Sequence, residues 1–202
     1  TPRVVELAFP SGSPIPRQSL AMSATPAVSW SASSSTPWIT VRTTSGSTPG
    51  NLEFDLSSSG MSTGLKEGAI TIVSGSDSFT VPVKLRIIAL NITKLVPHPS
   101  RPVVYGINTS AAGEGFSHLL EIDAATAVIQ RSLPIGFSPT DADIDDATDR
   151  IYVSNWGYSK TRVIDLTAWT ELPALNLGED IYRLNVASGG RIVTEGEDQW
   201  IS

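Results

Sequence analysis

The second half of this 202-residue chain repeats itself about every 42 residues, and this repeat constrains the fold more than any other feature of the sequence. Residues 119–123 (LLEID) match residues 161–165 (TRVID), and residues 133–136 (LPIG) match residues 175–178 (LNLG), each at an offset of 42. The matching runs are short and rich in Ile, Leu and Val, as β-strands are. Repeats of this length built from short strands are typical of β-propeller blades.

The copies of the repeat differ in one place. Tyr105 precedes Asp123 by 18 residues, whereas its counterpart Tyr152 precedes Asp165 by 13, which predicts an insertion within residues 109–117. About 110 residues are room for only two to three blades of this size, and propellers close with about four to eight. We therefore expect an incomplete propeller that ends inside a blade. Its missing blades would come from the same chain or from another chain.

The first ninety residues contain seven short strand-like runs at intervals of roughly ten residues. In residues 51–56 (NLEFDL), for example, apolar residues alternate with polar ones, which is the period of a half-buried strand. Strands of this number and spacing predict an all-β, immunoglobulin-like sandwich over residues 1–90. We expect the first two to three propeller blades to occupy residues 91–202, where Ser-rich turns become rarer and Asp, Tyr and Ile more frequent.

Composition excludes several classes of function. The net charge is −6 and the 14 Lys and Arg residues are scattered, so nucleic acid is not an expected partner. The chain has no cysteine, which excludes disulfides, thiolate zinc sites and cysteine nucleophiles. No apolar stretch reaches the roughly 18 residues of a membrane helix, so we expect no membrane insertion. The sequence also lacks a phosphate-binding glycine loop and a Gly-x-Ser-x-Gly motif, and we expect neither a cofactor nor catalytic residues.

The acidic run 141–149 (DADIDDATD) places oxygen ligands at alternate positions, a pattern suited to Ca²⁺. It departs from the EF-hand loop, because Asp146 stands where glycine is needed and Tyr152 where the bidentate glutamate belongs. We therefore favour a solvated loop that flanks a blade strand, and we expect no metal site. The two histidines, His98 and His118, have no further ligands beside them in the sequence, and we expect both in surface or loop positions.

Two further groups of residues are expected to have structural roles. Glu121, Asp123 and Asp165 lie on strand-like runs that recur in the repeat, which favours packing or hydrogen bonding over catalysis. Trp30 and Trp38 alternate with Ser or Thr, which favours positions in the core of the first domain over a sugar-stacking platform.

Trp156 and Tyr158 are the candidate ligand-binding residues. They follow a strand-like run and lie in a turn between two strands of one blade, where loops commonly carry recognition. Exposed aromatic rings in such a turn stack on a sugar or anchor a peptide. The alternative is a ring packed on the neighbouring blade.

The first half of the chain resembles the BACON domain of bacterial exported proteins over about residues 15–90. The matching runs are 30–32 (WSA), 37–41 (PWITV), 45–49 (SGSTP), 64–72 (GLKEGAITI) and 81–85 (VPVKL). Members of that family accompany other domains in surface proteins and glycan-degrading enzymes. The resemblance implies either a carbohydrate-binding or a spacer role.

The second half resembles the YVTN-type repeats of bacterial surface and periplasmic propellers over about residues 94–200. The resemblance rests on residues 149–157 (DRIYVSNWG) and 163–166 (VIDL), with 133–139 (LPIGFSP) similar to the link between blades in that family. It is specific for the fold and much less so for function, because propellers host many activities.

These resemblances imply a bacterial protein that is secreted, on the cell surface or periplasmic. We expect a non-catalytic protein in which an Ig-like module presents a ligand-binding propeller, with a carbohydrate or a protein as the ligand. Two alternatives stay open. The chain is a structural adhesion or assembly unit of a surface array, or a fragment of a larger enzyme whose active site lies in blades outside it.

Overall fold

The described part of the chain consists of strands, turns and loops. The structure, a computed structural model, describes residues 4–110, 115–157, 160–176, 181–187 and 190–196. No helix occurs in these ranges, and the all-β fold class is confirmed. The chain divides into two compact units, Thr1–Ala89 and Leu90–Ser202. The described residues form no helix that is long and apolar enough to span a membrane.

The first unit is a sandwich of two sheets, as expected for an immunoglobulin-like domain. Its described strands are β1 (Val5–Pro10), β2 (Gln18–Met22), β3 (Ser29–Ser33), β4 (Ile39–Val41), β5 (Ser45–Ser47), β6 (Gly50–Leu56), β7 (Gly64–Ser74) and β8 (Asp77–Ile88). One sheet has the strand order β1-β8-β7-β3-β5 and the other has the order β2-β6-β4. β1 runs parallel to β8, while β7 and β8 form a long antiparallel hairpin.

The core of the sandwich follows the alternation of the sequence. Every second residue is buried in β6 from Leu52 and in β8 from Val81. Trp30 is buried among these residues and Trp38 packs against them while partly exposed, so the inward placement of both rings is confirmed. Burying each large apolar side chain stabilises the fold by roughly 1.5–3 kcal/mol, so this core needs no disulfide.

Strand β5 is not predicted from the sequence, because Ser-Gly-Ser has no alternation of apolar residues. It pairs with β3 so that Gly46 lies opposite Trp30. A Cβ atom at position 46 would lie 2.7 Å from the Trp30 indole, so the ring covers the glycine backbone directly. The strand therefore depends on a contact with a residue 16 positions away in the chain.

The second unit is built from successive antiparallel meanders. Its described strands are β9 (Ile92–Pro97), β10 (Val103–Asn108), β11 (Ser117–Asp123), β12 (Ile129–Gly136), β13 (Pro139–Asp145), β14 (Arg150–Asn155), β15 (Lys160–Asp165), β16 (Thr170–Asn176), β17 (Ile181–Ala187) and β18 (Arg191–Gly196). The first eight form two four-stranded sheets, blade 1 (β9–β12) and blade 2 (β13–β16). β17 and β18 form the described part of blade 3. This is the partial propeller that the repeat predicts.

The predicted insertion is also confirmed. The connection from Asn108 to Ser117 in blade 1 is longer than the equivalent connection from Asn155 to Lys160 in blade 2.

The blades pack on one another through apolar side chains. Between blades 1 and 2 lie Val96, Tyr105, Ile107, Leu119, Ile135, Ala142, Ile144, Ile151, Val153, Ile164 and Leu166. Between blades 2 and 3 lie Tyr152, Val163, Ile181 and Leu184, with partly buried neighbours around them. Alternate side chains of β14 thus lie on opposite faces of blade 2. Ile151 and Val153 face blade 1, and Tyr152 faces blade 3.

Residues 141–145 of the acidic run lie in β13, where the interpretation as a solvated loop is wrong, and residues 146–149 form the turn that follows. The carboxylates of β13 bind the first strand of the next blade. Asp141 Oδ2 accepts a hydrogen bond from the backbone N–H of Leu184 (2.8 Å), and Asp143 Oδ2 accepts one from Val186 (2.7 Å). β17 pairs with β18 along one edge, and the carboxylates satisfy N–H groups on its other edge.

Blades 1 and 2 share an equivalent turn after the third strand, which begins at Asp123 in blade 1 and at Asp165 in blade 2. Asp123 Oδ1 accepts hydrogen bonds from Thr126, and Asp165 Oδ1 accepts one from Ala168, which confirms their hydrogen-bonding role. Four residues after each aspartate the backbone is left-handed, with φ of 56° at Ala127 and 54° at Trp169. Neither residue is glycine, so both turns are strained.

Candidate functional site

A cleft opens where three connections meet at one end of the blades: β10–β11, β12–β13 and β14–β15. Its volume is about 350 Å³. The lining residues are Phe116, Gly136, Phe137, Asn155, Lys160, Arg162, Glu171 and Ala174. They come from blade 1, blade 2 and the link between them, so the packing of the two blades creates the cleft.

Two exposed aromatic residues line this cleft, and an exposed tryptophan follows Asn155 of its lining. Phe116 is 50% exposed and Phe137 is 45% exposed, and their ring centroids lie 4.9 Å apart at an interplanar angle of 50°. Trp156 is 48% exposed, and its backbone N–H donates to the carbonyl of Ser138, next to Phe137. We call Phe116, Phe137 and Trp156 the aromatic patch. It leaves three large apolar rings in solvent at one end of the blades.

Asn155 holds the blade link that carries Phe137. Its Nδ2 group donates to the carbonyls of Ile135 (3.0 Å) and Phe137 (2.8 Å). Its counterpart in blade 1, Asn108, accepts a hydrogen bond from the backbone N–H of Asn91 at the entrance to β9 (2.7 Å). In both blades, the asparagine at the end of the second strand thus binds the backbone just before the first strand of the same blade. In blade 2 that segment carries Phe137 of the aromatic patch.

Arg162 forms the charged wall of the cleft. Its Nη1 donates to Glu171 Oε2 at 2.7 Å, and its guanidinium lies over Gly136. A Cβ atom at position 136 would lie 2.9 Å from Nη2, and φ at Gly136 is +82°, a value that L side chains rarely adopt. Glycine at this position thus permits both the left-handed turn and the close approach of the arginine.

Lys160 is the second cation of the cleft and is exposed. It makes no ion pair with another described residue, whereas Arg162 is paired with Glu171. The charged lining residues Lys160, Arg162 and Glu171 sum to +1 in a chain whose net charge is −6. The cleft is therefore locally cationic.

The structure describes one of the two candidate binding residues, Trp156. Trp156 occupies the turn after β14, as expected, and its ring is half exposed beside the blade link. Tyr158 lies outside the described residues. Sequence reasoning missed Phe116, Phe137 and Lys160. In the sequence, only their positions indicate these residues. Phe116 lies at the end of the predicted insertion, Phe137 in the blade link and Lys160 at the start of a strand.

A second group of polar side chains lies in the turns at the opposite ends of the strands. His98 Nε2 lies 3.1 Å from Asp149 Oδ1, and Arg101 Nη2 donates to the same oxygen at 2.5 Å. His98 is in a loop, as expected, but is only 7% exposed. His118 lies within β11 and is 3% exposed, so its surface or loop placement is wrong. This polar cluster joins blade 1 to blade 2.

His98 lies between a serine and an aspartate, as the histidine of a catalytic triad does. Ser100 Oγ lies 3.4 Å from His98 Nδ1, and Asp149 Oδ1 lies 3.1 Å from His98 Nε2. The hydrogen bonds argue against that role. The Ser100 hydroxyl donates to Asp146 (2.7 Å), and the Ser100 backbone N–H donates to His98 Nδ1 (3.2 Å). Nδ1 already accepts a main-chain hydrogen bond, so it is not poised to take the proton of the hydroxyl. The cluster is structural.

Glu121 also has the hydrogen-bonding role expected of it. It is buried in β11, accepts a hydrogen bond from the Tyr105 hydroxyl (3.1 Å) and is paired with Arg131 through both carboxylate oxygens. Burial, reinforced by the Glu121 charge, raises the pKa of Tyr105 well above its usual value. Arg131 in turn lies over the ring of Trp169, 4.4 Å from its centroid.

In the parts of the chain that the structure describes, no three His, Asp or Glu side chains come together as a metal site would require. The carboxylates of the acidic strand are occupied by the donors of blade 3 and by local turns; Asp145 accepts a hydrogen bond from Thr148 at 2.7 Å.

Comparison with known proteins gives similarities of fold. The chain matches no protein-family model and no curated protein. A quinoprotein alcohol dehydrogenase-like protein from Bacteroides thetaiotaomicron is 12% identical with a TM-score of 0.40, over 96% of this chain and 51% of that one. AztD from Citrobacter koseri is 19% identical with a TM-score of 0.40, over 69% and 36%.

A Bacteroides ovatus xyloglucanase, solved with a heptasaccharide, is 16% identical with a TM-score of 0.37, over 46% of this chain and 19% of that one. This chain thus spans about half or less of the length of these three proteins. The similarities concern the fold alone.

Proposed function

We propose that this chain is a non-catalytic, exported binding protein whose propeller unit holds a carbohydrate at the aromatic patch. The observation that carries the proposal is the group of exposed rings, Phe116, Phe137 and Trp156, beside a cleft of about 350 Å³. The sandwich of the first unit serves in this proposal as a module that presents or spaces the propeller.

The exposure of the three aromatic residues supports a ligand-binding role for the aromatic patch. Each of the three residues is about half exposed, although full burial would stabilise the fold by roughly 1.5–3 kcal/mol. Grouped exposed apolar side chains with a polar rim mark binding sites. The C–H faces of pyranose sugars are apolar and pack on such rings. Lys160, Arg162 and Glu171 form the polar rim of the group.

The distribution of carboxylates supports a non-catalytic role. Hydrolysis of a glycosidic bond uses two carboxyl groups that flank the bond. The described lining of the cleft contains one, Glu171, and it is paired with Arg162. Glu121, Asp141 and Asp149 are committed to hydrogen bonds between strands or blades.

A second candidate function is assembly through blade 3. Val193 on β18 is 58% exposed and Tyr182 on β17 is 39% exposed. Another blade, from the same or another chain, would cover such a face. This function predicts self-association that rises with protein concentration and does not depend on the aromatic patch.

Affinity electrophoresis through gels that contain soluble polysaccharides tests carbohydrate binding. We expect retardation by at least one polysaccharide, and its loss in the variants Trp156→Ala and Phe137→Ala. The matched control is Phe79→Ala, which removes a ring that is 53% exposed in the first unit and should leave migration unchanged. Unretarded migration of the native protein with every polysaccharide would overturn the proposal. Retardation that the patch variants retain would also overturn it.

A further inference from the structure

We propose that the sugar bound at the aromatic patch is anionic, a pyranose that carries a carboxylate or a sulfate group. This inference rests on the proposed function and deepens it. The aromatic patch supplies the apolar surface for the ring, and the cationic wall beside it supplies the site for the charge. The two features are independent, because a neutral sugar would need only the aromatic patch and not the cationic wall.

The first observation is the unbalanced charge of the cleft. Lys160 begins β15 at the mouth of the cleft, exposed and without an ion pair to another described residue. Elsewhere in this unit, Lys94, Arg101 and Arg131 each have a carboxylate partner. Arg150 and Arg191, like Lys160, form no ion pair with another described residue, but neither lines the cleft. An exposed lysine alone is ordinary, but this one lies beside a second cation in a chain of net charge −6.

The second observation is the fixed position of Arg162. One edge of its guanidinium is held by Glu171, and the group lies over the bare backbone of Gly136. A planar guanidinium held in this way is pre-organised, so it loses little conformational entropy when it binds an oxyanion. Arg162 and Glu171 together carry no net charge, so the net positive charge of the wall is that of Lys160.

The third observation is the proximity of these charges to the rings. Phe116, Phe137, Lys160 and Arg162 line one cleft of about 350 Å³. That volume suits one or two sugar residues, since ligand pockets start at about 300 Å³. A pyranose packed on the two phenylalanines would therefore hold a carboxylate or sulfate substituent within reach of the cationic wall.

Isothermal titration calorimetry with matched oligosaccharides tests the inference. Tetragalacturonate and galactotetraose differ at C6, where the first has a carboxylate and the second a hydroxymethyl group, and a sulfated galactan tetrasaccharide forms the third arm. We expect an anionic ligand to bind about fivefold to tenfold more tightly than galactotetraose, since one partly solvated ion pair contributes about 1 kcal/mol. The tetragalacturonate and sulfate arms identify which anion the cleft prefers.

Lys160→Gln removes the charge and keeps most of the side chain. We expect it to abolish most of the preference for the anionic ligand while leaving the affinity for galactotetraose unchanged. The control is Lys66→Gln, at a partly exposed lysine of the first unit whose Nζ donates to Ser62 Oγ, and it should have no effect. The preference of the native protein should also shrink at high salt, which screens exposed charges.

The outcomes separate this inference from the proposed function. Equal affinity for the three oligosaccharides, or a preference that Lys160→Gln retains, would overturn the anionic ligand and leave carbohydrate binding intact. Absence of binding for all three oligosaccharides, together with unretarded migration in every polysaccharide gel, would overturn both. Binding of an acidic peptide at the same residues, with no sugar bound, would also overturn both, because the site would then recognise protein.

Discussion

Asp141 of blade 2 accepts a hydrogen bond from the backbone N–H of Leu184 of blade 3, 43 residues later in the chain (2.8 Å). Its other carboxylate oxygen is paired with Lys94 on the first strand of blade 1. One side chain therefore ties together the first strands of three successive blades. Within the described residues, Asp141 thus has an inter-blade role.

Replacing Asp141 with Ala should destabilise the propeller unit. The change leaves the buried N–H of Leu184 without its acceptor and Lys94 without its partner, and we expect a loss of about 2–4 kcal/mol in the free energy of unfolding. Urea denaturation followed by circular dichroism measures this. The control Glu195→Ala removes an exposed carboxylate 3.5 Å from Arg183 and should change the free energy by less than about 0.5 kcal/mol. Equal effects of the two substitutions would contradict the inter-blade role.

Gly136→Ala should cost more stability than Gly75→Ala. Both glycines have positive φ, +82° and +60°, so both substitutions strain the backbone by about 1–2 kcal/mol. A Cβ at Gly75 meets nothing within 4 Å, whereas a Cβ at Gly136 would lie 2.9 Å from Arg162 Nη2. The excess cost at Gly136, measured by chemical denaturation, reports the displacement of Arg162. If the two costs were the same, the arginine would not be fixed over the glycine.

Ala127→Gly should stabilise the protein by about 0.5–1 kcal/mol, because glycine adopts the left-handed conformation of this turn without strain. φ at Ala127 is 56°. Ala125→Gly, two residues earlier in the same turn and outside the positive-φ set, should instead be neutral or destabilising. Differential scanning calorimetry of the two variants gives opposite shifts in Tm if the turn is strained at Ala127. A lower Tm for Ala127→Gly would refute that geometry.

Asp149→Asn should destabilise the protein near pH 7 and have a smaller effect near pH 3. Desolvation favours a higher pKa for Asp149, but hydrogen bonds from Thr167 and His98, with the Arg101 charge, outweigh it and hold the pKa below the usual 3.8. Stability from the ionised group is complete above pH 3.8 and is lost as the pH falls through the lowered pKa. Asparagine tolerates the left-handed φ of 52°, so the substitution tests the charge. A cost that is independent of pH would contradict this account.

Strands with alternating side chains, such as β6, and strands copied in the repeat, such as β11 and β15, could be predicted from the sequence. β5 could not, because Gly46 packs against Trp30, which lies on another strand. β13 looked like a solvated loop for a related reason. Its aspartates find their hydrogen-bond donors 43 residues away, and no local pattern records such donors.

The candidate site was predictable in part. Trp156 stands in a turn that the repeat itself marks. Phe116 and Phe137 become neighbours only because an insertion in blade 1 and the link to blade 2 meet at the same end of the sheets. An isolated phenylalanine in a loop sequence does not predict a contact with another loop.

The most direct test of carbohydrate binding at the aromatic patch is a titration of nitrogen-15-labelled protein, followed by two-dimensional NMR. Tetragalacturonate and galactotetraose would each be added to millimolar concentration. We predict chemical-shift changes at the Trp156 indole and the backbone amides of Phe116, Phe137 and Lys160, with the amides of residues 4–89 unchanged. Spectra that do not change with either sugar, or changes confined to residues 4–89, would contradict the account.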